Sequence, residues 1–305
     1  MDTLPLELHA QILEAACVDD GSTARSLSLV SRYIREVSKP FLYQSVAVSG
    51  LDALATLAKK LYDLPPHLRR IRHLFLSDHT YKSLRERSIL TVGDANEQAA
   101  LEEAAFLRII HYAAPTLETL ALSVFCPLNG SSVFGAVFSM TFPRLTHLSV
   151  HGFYPFPHTP NTTPRLRELR LSGNRNPHGL LEMGGLSAAC PALVHLEIAG
   201  LASAVSFASE VRSALLAKAN VEDALLSHPD PPPLLPATFP PTLQLLRVEH
   251  LPSPPSRSKV AQQAHEKMKM LLNVGEMREL RFEVVECPID DLYSRLRSNW
   301  LAGEK

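Results

Sequence analysis

The sequence predicts an α/β fold: a small N-terminal three-helix module over residues 1–45, then an irregular solenoid of parallel strands over residues 46–305. Three observations predict it. Leucine makes up roughly one residue in six, well above its ordinary share. Proline, at 24 residues, exceeds its average of roughly 5%. And one pattern, proline-x-L-x-x-L-x-L, recurs with conservative swaps along the chain.

The first 45 residues do not fit that pattern. Pro5 suits the first turn of a helix in which Leu8, Ile12 and Ala16 follow at i, i+4, with Leu13 beside them. Asp19-Asp20-Gly21 breaks it. Ser22 or Thr23 caps a second helix carrying Leu27 and Val30, and a third carries Tyr33, Ile34 and Val37 up to Pro40. Three such short helices make a very small core, so the module needs support from a partner or from the repeats.

The repeat opens with a degenerate strand, Ser45 to Val48. Its copies centre on Leu74/Leu76, Leu120/Leu122, Leu148/Val150, Leu169/Leu171, Leu196/Ile198, Leu246/Val248 and Leu280/Phe282. Each L-x-L alternates with period 2 and reads as a half-buried strand. The proline before it keeps a helix from running in. One such strand cannot bury its apolar face alone, whereas stacked copies share a core. Helical spacing fills the gaps: Leu51 to Leu61, Glu97 to Ala113, Gly130 to Met140, Val205 to Leu226 and Val260 to Val274. From Leu117 the first leucines are spaced 28, 21, 27, 50 and 34 residues apart, ending at Met277. Typical leucine-rich repeats run about 20–29 residues, so the long intervals hold insertions, one being the proline-rich Pro229 to Pro236. The asparagine usual after L-x-L is mostly missing, with Asn174 the nearest match. The pattern resembles a degenerate leucine-rich repeat.

Composition narrows the function. With 46% hydrophobic and 20% charged residues the chain is globular. A net charge of −1 argues against a dedicated nucleic-acid binder. Cys17, Cys126, Cys190 and Cys287 lie far apart with no C-x-x-C, which argues against a disulfide scaffold or zinc module and for reduced thiols in the cytoplasm or nucleus. No run of about 18 apolar residues suggests a membrane span, and the N-terminus has no basic secretory n-region. None of the usual nucleotide, metalloprotease or serine-hydrolase motifs occurs. The expectation is a non-catalytic protein without cofactor or bound metal.

The N-terminal residues carry a family resemblance. Leu4-Pro5-Leu6-Glu7-Leu8, Ile12-Leu13, Leu27-Ser28-Leu29-Val30-Ser31-Arg32 and Pro40-Phe41-Leu42-Tyr43 resemble an F-box, with Tyr33-Ile34 where that family usually has Trp. The closing Pro-x-Leu-Tyr is common in fungal F-box proteins. An F-box before leucine-rich repeats implies the substrate receptor of an SCF-type ubiquitin ligase. It would dock a Skp-type adaptor, and through it a cullin-RING ligase, by Leu4, Pro5, Leu8, Ile12, Leu29 and Val30. The alternatives are that these residues form the core of a helical cap, and that the chain is a scaffold without any ligase.

Alternation also predicts a target-binding face. If the L-x-L leucines point inward, their neighbours point outward and line the concave side of the solenoid. Phe75, His147, His151, Arg170, His195, Arg247 and Arg281 are the candidate target contacts there, with Phe75 and the histidines as anchors. Arg170 beside Glu197 and Arg247 beside Glu283 are the expected lateral ion pairs.

Overall fold

The computed structural model describes residues 5–79, 92–219, 237–253, 258–274, 280–287 and 291–303. Within them the chain is α/β, with eight strands, every observed pairing parallel, and ten α-helices. Two compact units emerge. One comprises residues 1–137, 142–145 and 290–305, and the other residues 138–141 and 146–289.

The first unit begins with α1 (Leu6–Ala16), α2 (Ser22–Leu27) and α3 (Arg32–Ser38). β1 (Ser45–Ser49), α4 (Leu51–Asp63), β2 (His73–Ser77), α5 (Val92–Ala113) and β3 (Thr119–Ser123) follow, and α6 (Pro127–Ser139) leads out. In α4 the spacing does what it promised: Leu54, Leu57, Ala58 and Leu61 form its buried stripe. The helical module is tied to the strands, not free of them. Gln44 Nε2 donates to the Glu14 carbonyl at 2.8 Å, Ser45 Oγ donates to the Asp19 carbonyl, and Arg72 reaches Glu14 at 2.8 Å and Glu118 at 2.9 Å.

The second unit holds β4 (His147–His151), β5 (Glu168–Ser172), α7 (Gly185–Ala189), β6 (His195–Leu201), α8 (Val205–Ala219), β7 (Leu245–His250), α9 (Lys259–Leu272) and β8 (Arg281–Glu286). Its register stacks Leu148, Leu169, Leu196 and Leu246 on successive strands, all buried. Val46, Leu74 and Leu120 align likewise in the first unit. Leu169→Ala is expected to cost about 2–5 kcal/mol, as for other core leucines, read as a lowered denaturation midpoint.

The last copy corrects the expected alignment. Leu246 pairs with Phe282, so Leu280 sits two residues before its expected position. Two residues is one full period of a strand, so Leu280 stays buried and the slip leaves both faces intact. Met277 and Glu279 lie outside the described residues, as do the Pro229 to Pro236 stretch and the end of the helix expected to reach Leu226.

Glycine does the turn work for which the repeat lacks asparagine. Gly152, Gly173 and Gly200 follow the apolar pairs of β4, β5 and β6, all with positive φ. A Cβ on Gly173 would lie 2.6 Å from the Gly152 backbone nitrogen. Close stacking of successive turns therefore demands glycine there.

A final helix, α10 (Leu292–Ala302), was not foreseen from the repeat and belongs to the first unit. Asp291 caps it by accepting the Ser294 N–H at 3.2 Å. Among the described residues no helix is long and apolar enough to cross a membrane.

Candidate functional site

The N-terminal module buries a small core and leaves several large apolar side chains bare. α1 turns His9 and Leu13 inward, α3 turns Ile34 inward, and His9 Nδ1 meets the Tyr33 hydroxyl at 2.6 Å. Ser31 caps α3 by accepting the Ile34 N–H at 3.1 Å. The turn before α2 is held by the Asp19 carboxylate, which accepts from Gly21, Ser22 and Thr23. Burial pushes that carboxyl up, but these hydrogen bonds win and hold it below its ordinary value.

Outside this frame lie Leu6, Leu8, Ile12, Leu29, Val30 and Tyr33. Leu29 is 78% exposed, Val30 68% and Ile12 55%. Four of the six docking residues expected from the sequence, Leu8, Ile12, Leu29 and Val30, are thus large apolar side chains facing outward. Pro5 is exposed at the start of α1, and Leu4 lies outside the described residues. A helical cap whose core these residues formed would bury them. Instead the module buries His9, Leu13, Ala24 and Ile34, and Leu8, Ile12, Leu29 and Val30 stay in solvent.

The expected target face is corrected in the first unit. Phe75 does point to the predicted side, in register with Ala47 and Ala121, but it is only 1% exposed. The chain covers it with α10: Leu292, Tyr293, Leu296 and Trp300, one face of that helix, pack on Ala47, Phe75 and Ala121. The Trp300 and Tyr293 rings stand 5.8 and 5.9 Å from the Phe75 ring, Tyr293 stacks on His79 at 4.7 Å, and Arg297 pairs with Asp20 at 2.7 Å. Phe75 is a core residue and not an anchor for a partner. His73 is buried too, bonded to Thr119 at 3.0 Å.

In the second unit the predicted face stays partly open and is a lattice of charge. Glu168 lies between His147 at 3.6 Å and His195 at 3.3 Å, and His151 bonds Ser172 at 3.0 Å. Arg170 reaches Glu197 at 3.1 Å, the expected pair, and Glu249 at 3.7 Å. Arg247 is aligned with Glu283 but its guanidinium pairs with Glu249 at 3.3 Å, while the exposed Arg281 takes Glu283 at 2.5 Å. The cross-strand pairs among these contribute about 0.2–1 kcal/mol each.

Burial pushes the Glu197 carboxyl above its ordinary value of 4.5; Arg170 opposes this and Glu249 reinforces it. A raised carboxyl binds more protons folded than unfolded, so its contribution to stability is present at low pH and lost as pH rises through the folded value. Glu197→Gln is therefore expected to gain stability relative to wild type as pH rises from 4.5, the ordinary carboxyl value, to pH 7.5. Urea midpoints at the two pH values check this, and an unchanged difference would refute it.

One further cluster escaped the sequence reading. His178 Nδ1 lies 3.3 Å from Glu210 Oε2 and His178 Nε2 lies 4.0 Å from Glu182. These three could hold a divalent ion. Glu210 already accepts the Gly179 and Leu181 N–H groups at 2.7 and 2.5 Å, so the cluster also works as a clamp on the loop before α7. The i, i+4 spacing of His178 and Glu182 was the visible signal; Glu210 comes from a distant helix.

Compared with known proteins, the chain matches no family model, no curated protein and no solved structure.

Proposed function

We propose that this protein is the substrate-recognition subunit of an SCF-type ubiquitin ligase, acting in the cytoplasm or nucleus. Its N-terminal module, an F-box, docks a Skp-type adaptor that connects it to a cullin-RING ligase. Its strand–helix repeats, a degenerate leucine-rich-repeat solenoid, hold the target protein. Ubiquitin transfer belongs to the partner subunits, and the chain itself does no chemistry.

One observation carries this reading: Leu8, Ile12, Leu29 and Val30, which match the F-box pattern in order and spacing, are bare on the surface of a module whose own core is complete without them. Apolar side chains left in water on a small helical unit are stabilised by a partner that covers them. The open part of the strand face, with His147, His151, Arg170, His195, Arg247 and Arg281, is the surface assigned to the target. Phe75 is excluded from it by its burial.

The test is a pull-down of the recombinant full-length chain with a purified Skp-type adaptor, followed by co-purification of the cullin. Retention of both supports the receptor. Retention of neither leaves a repeat scaffold that binds a partner without a ligase.

A further inference from the structure

We propose that the free edge of β1 captures an extended peptide, with apolar residues at alternate positions and an acidic residue at one end, which adds to β1 as a further strand. This does not rest on the ligase reading.

The edge is defined by hydrogen-bond parity. The Gln44 carbonyl accepts from His73 at 3.0 Å, and the Gly50 N–H donates to the Ser77 carbonyl at 2.9 Å. In a parallel ladder with Ser45 opposite His73, the bonds to β2 therefore fall on residues 44, 46, 48 and 50. Residues 45, 47 and 49 aim their N–H and C=O groups the other way. Near Ser45 that side is closed: Gly21 approaches so closely that a Cβ on it would lie 3.0 Å from the Ser45 carbonyl oxygen. At Ala47 and Ser49 it is open. Among the described residues no group of the chain bonds their backbone on that side.

A groove of about 760 Å³ runs there, lined by all five residues of β1 and by α2 and α4. Its apolar wall is Leu42, Val46, Val48 and Leu57; Val46 and Val48, two residues apart, face the same side of β1, where every second side chain of an added strand would lie. Backbone groups on an unpaired edge give affinity to any extended chain, and alternate pockets give it selectivity. Charge selects further. Arg25 and Lys60 line the groove with no ion pair among the described residues, against the single unpaired acid Asp52; Asp20 is taken by Arg297. The excess is cationic, so the matching peptide carries an acid.

The probes are fluorescein-labelled hexapeptides of alternating valine and threonine, with two aspartates at the N-terminal or at the C-terminal end. Fluorescence polarisation with the full-length chain is expected to give a dissociation constant on the order of 10–100 µM for one of them. Methylating its alternate backbone nitrogens in the bonding phase keeps every side chain and is expected to weaken binding at least tenfold. Ala47→Pro, which removes an outward N–H while leaving the bonds to β2 in place, is expected to do the same. Arg25→Glu with Lys60→Glu should make the chain prefer peptides with lysines in place of the aspartates. No binding of either peptide at 1 mM, equal binding of both methylated phases, or equal binding of the lysine peptides by the wild type would overturn the proposal. The methylated peptides need only the wild-type chain, so they decide the matter even if Ala47→Pro does not fold.

Discussion

Phe75→Ala is expected to destabilise the first unit by about 3–5 kcal/mol, the cost of truncating a fully buried aromatic. Phe75 is the centre of a small second core on the strand face, between Ala47 and Ala121 of its own row and the Leu296 and Trp300 of α10. Removing its ring leaves a cavity under Trp300, which is the only tryptophan in the chain. The emission of that residue therefore reports on the contact directly. Phe75→Ala should shift it to the red in the absence of denaturant and should lower the melting temperature by several degrees. A variant with wild-type melting and wild-type emission would mean that α10 does not cover this face in solution.

Leu8→Asp combined with Val30→Asp is expected to lower affinity for the Skp-type adaptor at least about 100-fold, or roughly 3 kcal/mol, because each carboxylate would be buried unpaired in an apolar contact. The same pair should leave the melting temperature within about 2 °C. Both side chains are exposed, and surface substitutions away from special features usually change stability by less than about 0.5 kcal/mol. Exposure separates the two readouts: a docking defect with intact folding is what a surface role produces, whereas a core role would couple them.

Much of the fold was legible because the repeat obeys local rules. Period 2 placed Leu120, Leu169 and Leu196 on strands, and period 3.6 placed Leu54 to Leu61 on α4, since each element needs one buried face and the pattern records which. The expected docking residues were legible only through the resemblance to an F-box: the i, i+4 spacing of Leu8, Ile12 and Ala16 by itself points to a buried stripe, whereas α1 buries His9 and Leu13 and leaves those three exposed. The expected target face was only half legible. Alternation fixed the side on which Phe75 and Arg170 lie, but alternation says nothing about what covers that side. The cover, α10, comes from the other end of the sequence, and its Leu292, Tyr293, Leu296 and Trp300 show no link to β2 until the chain folds. Glu210 and His178 were illegible in the same way. The two-residue slip at β8 was hidden because Leu280-x-Phe282-x-Val284 alternates equally well in either register, and period 2 cannot distinguish them.

Calorimetric titration of the purified full-length chain with a purified Skp-type adaptor is the measurement that bears most directly on the central claim. One-to-one binding at micromolar concentration or tighter is expected, with a negative heat-capacity change from the burial of Leu8, Ile12, Leu29 and Val30, and its loss in the Leu8→Asp, Val30→Asp chain. Absence of binding by the wild type, or equal binding by the variant, would contradict it.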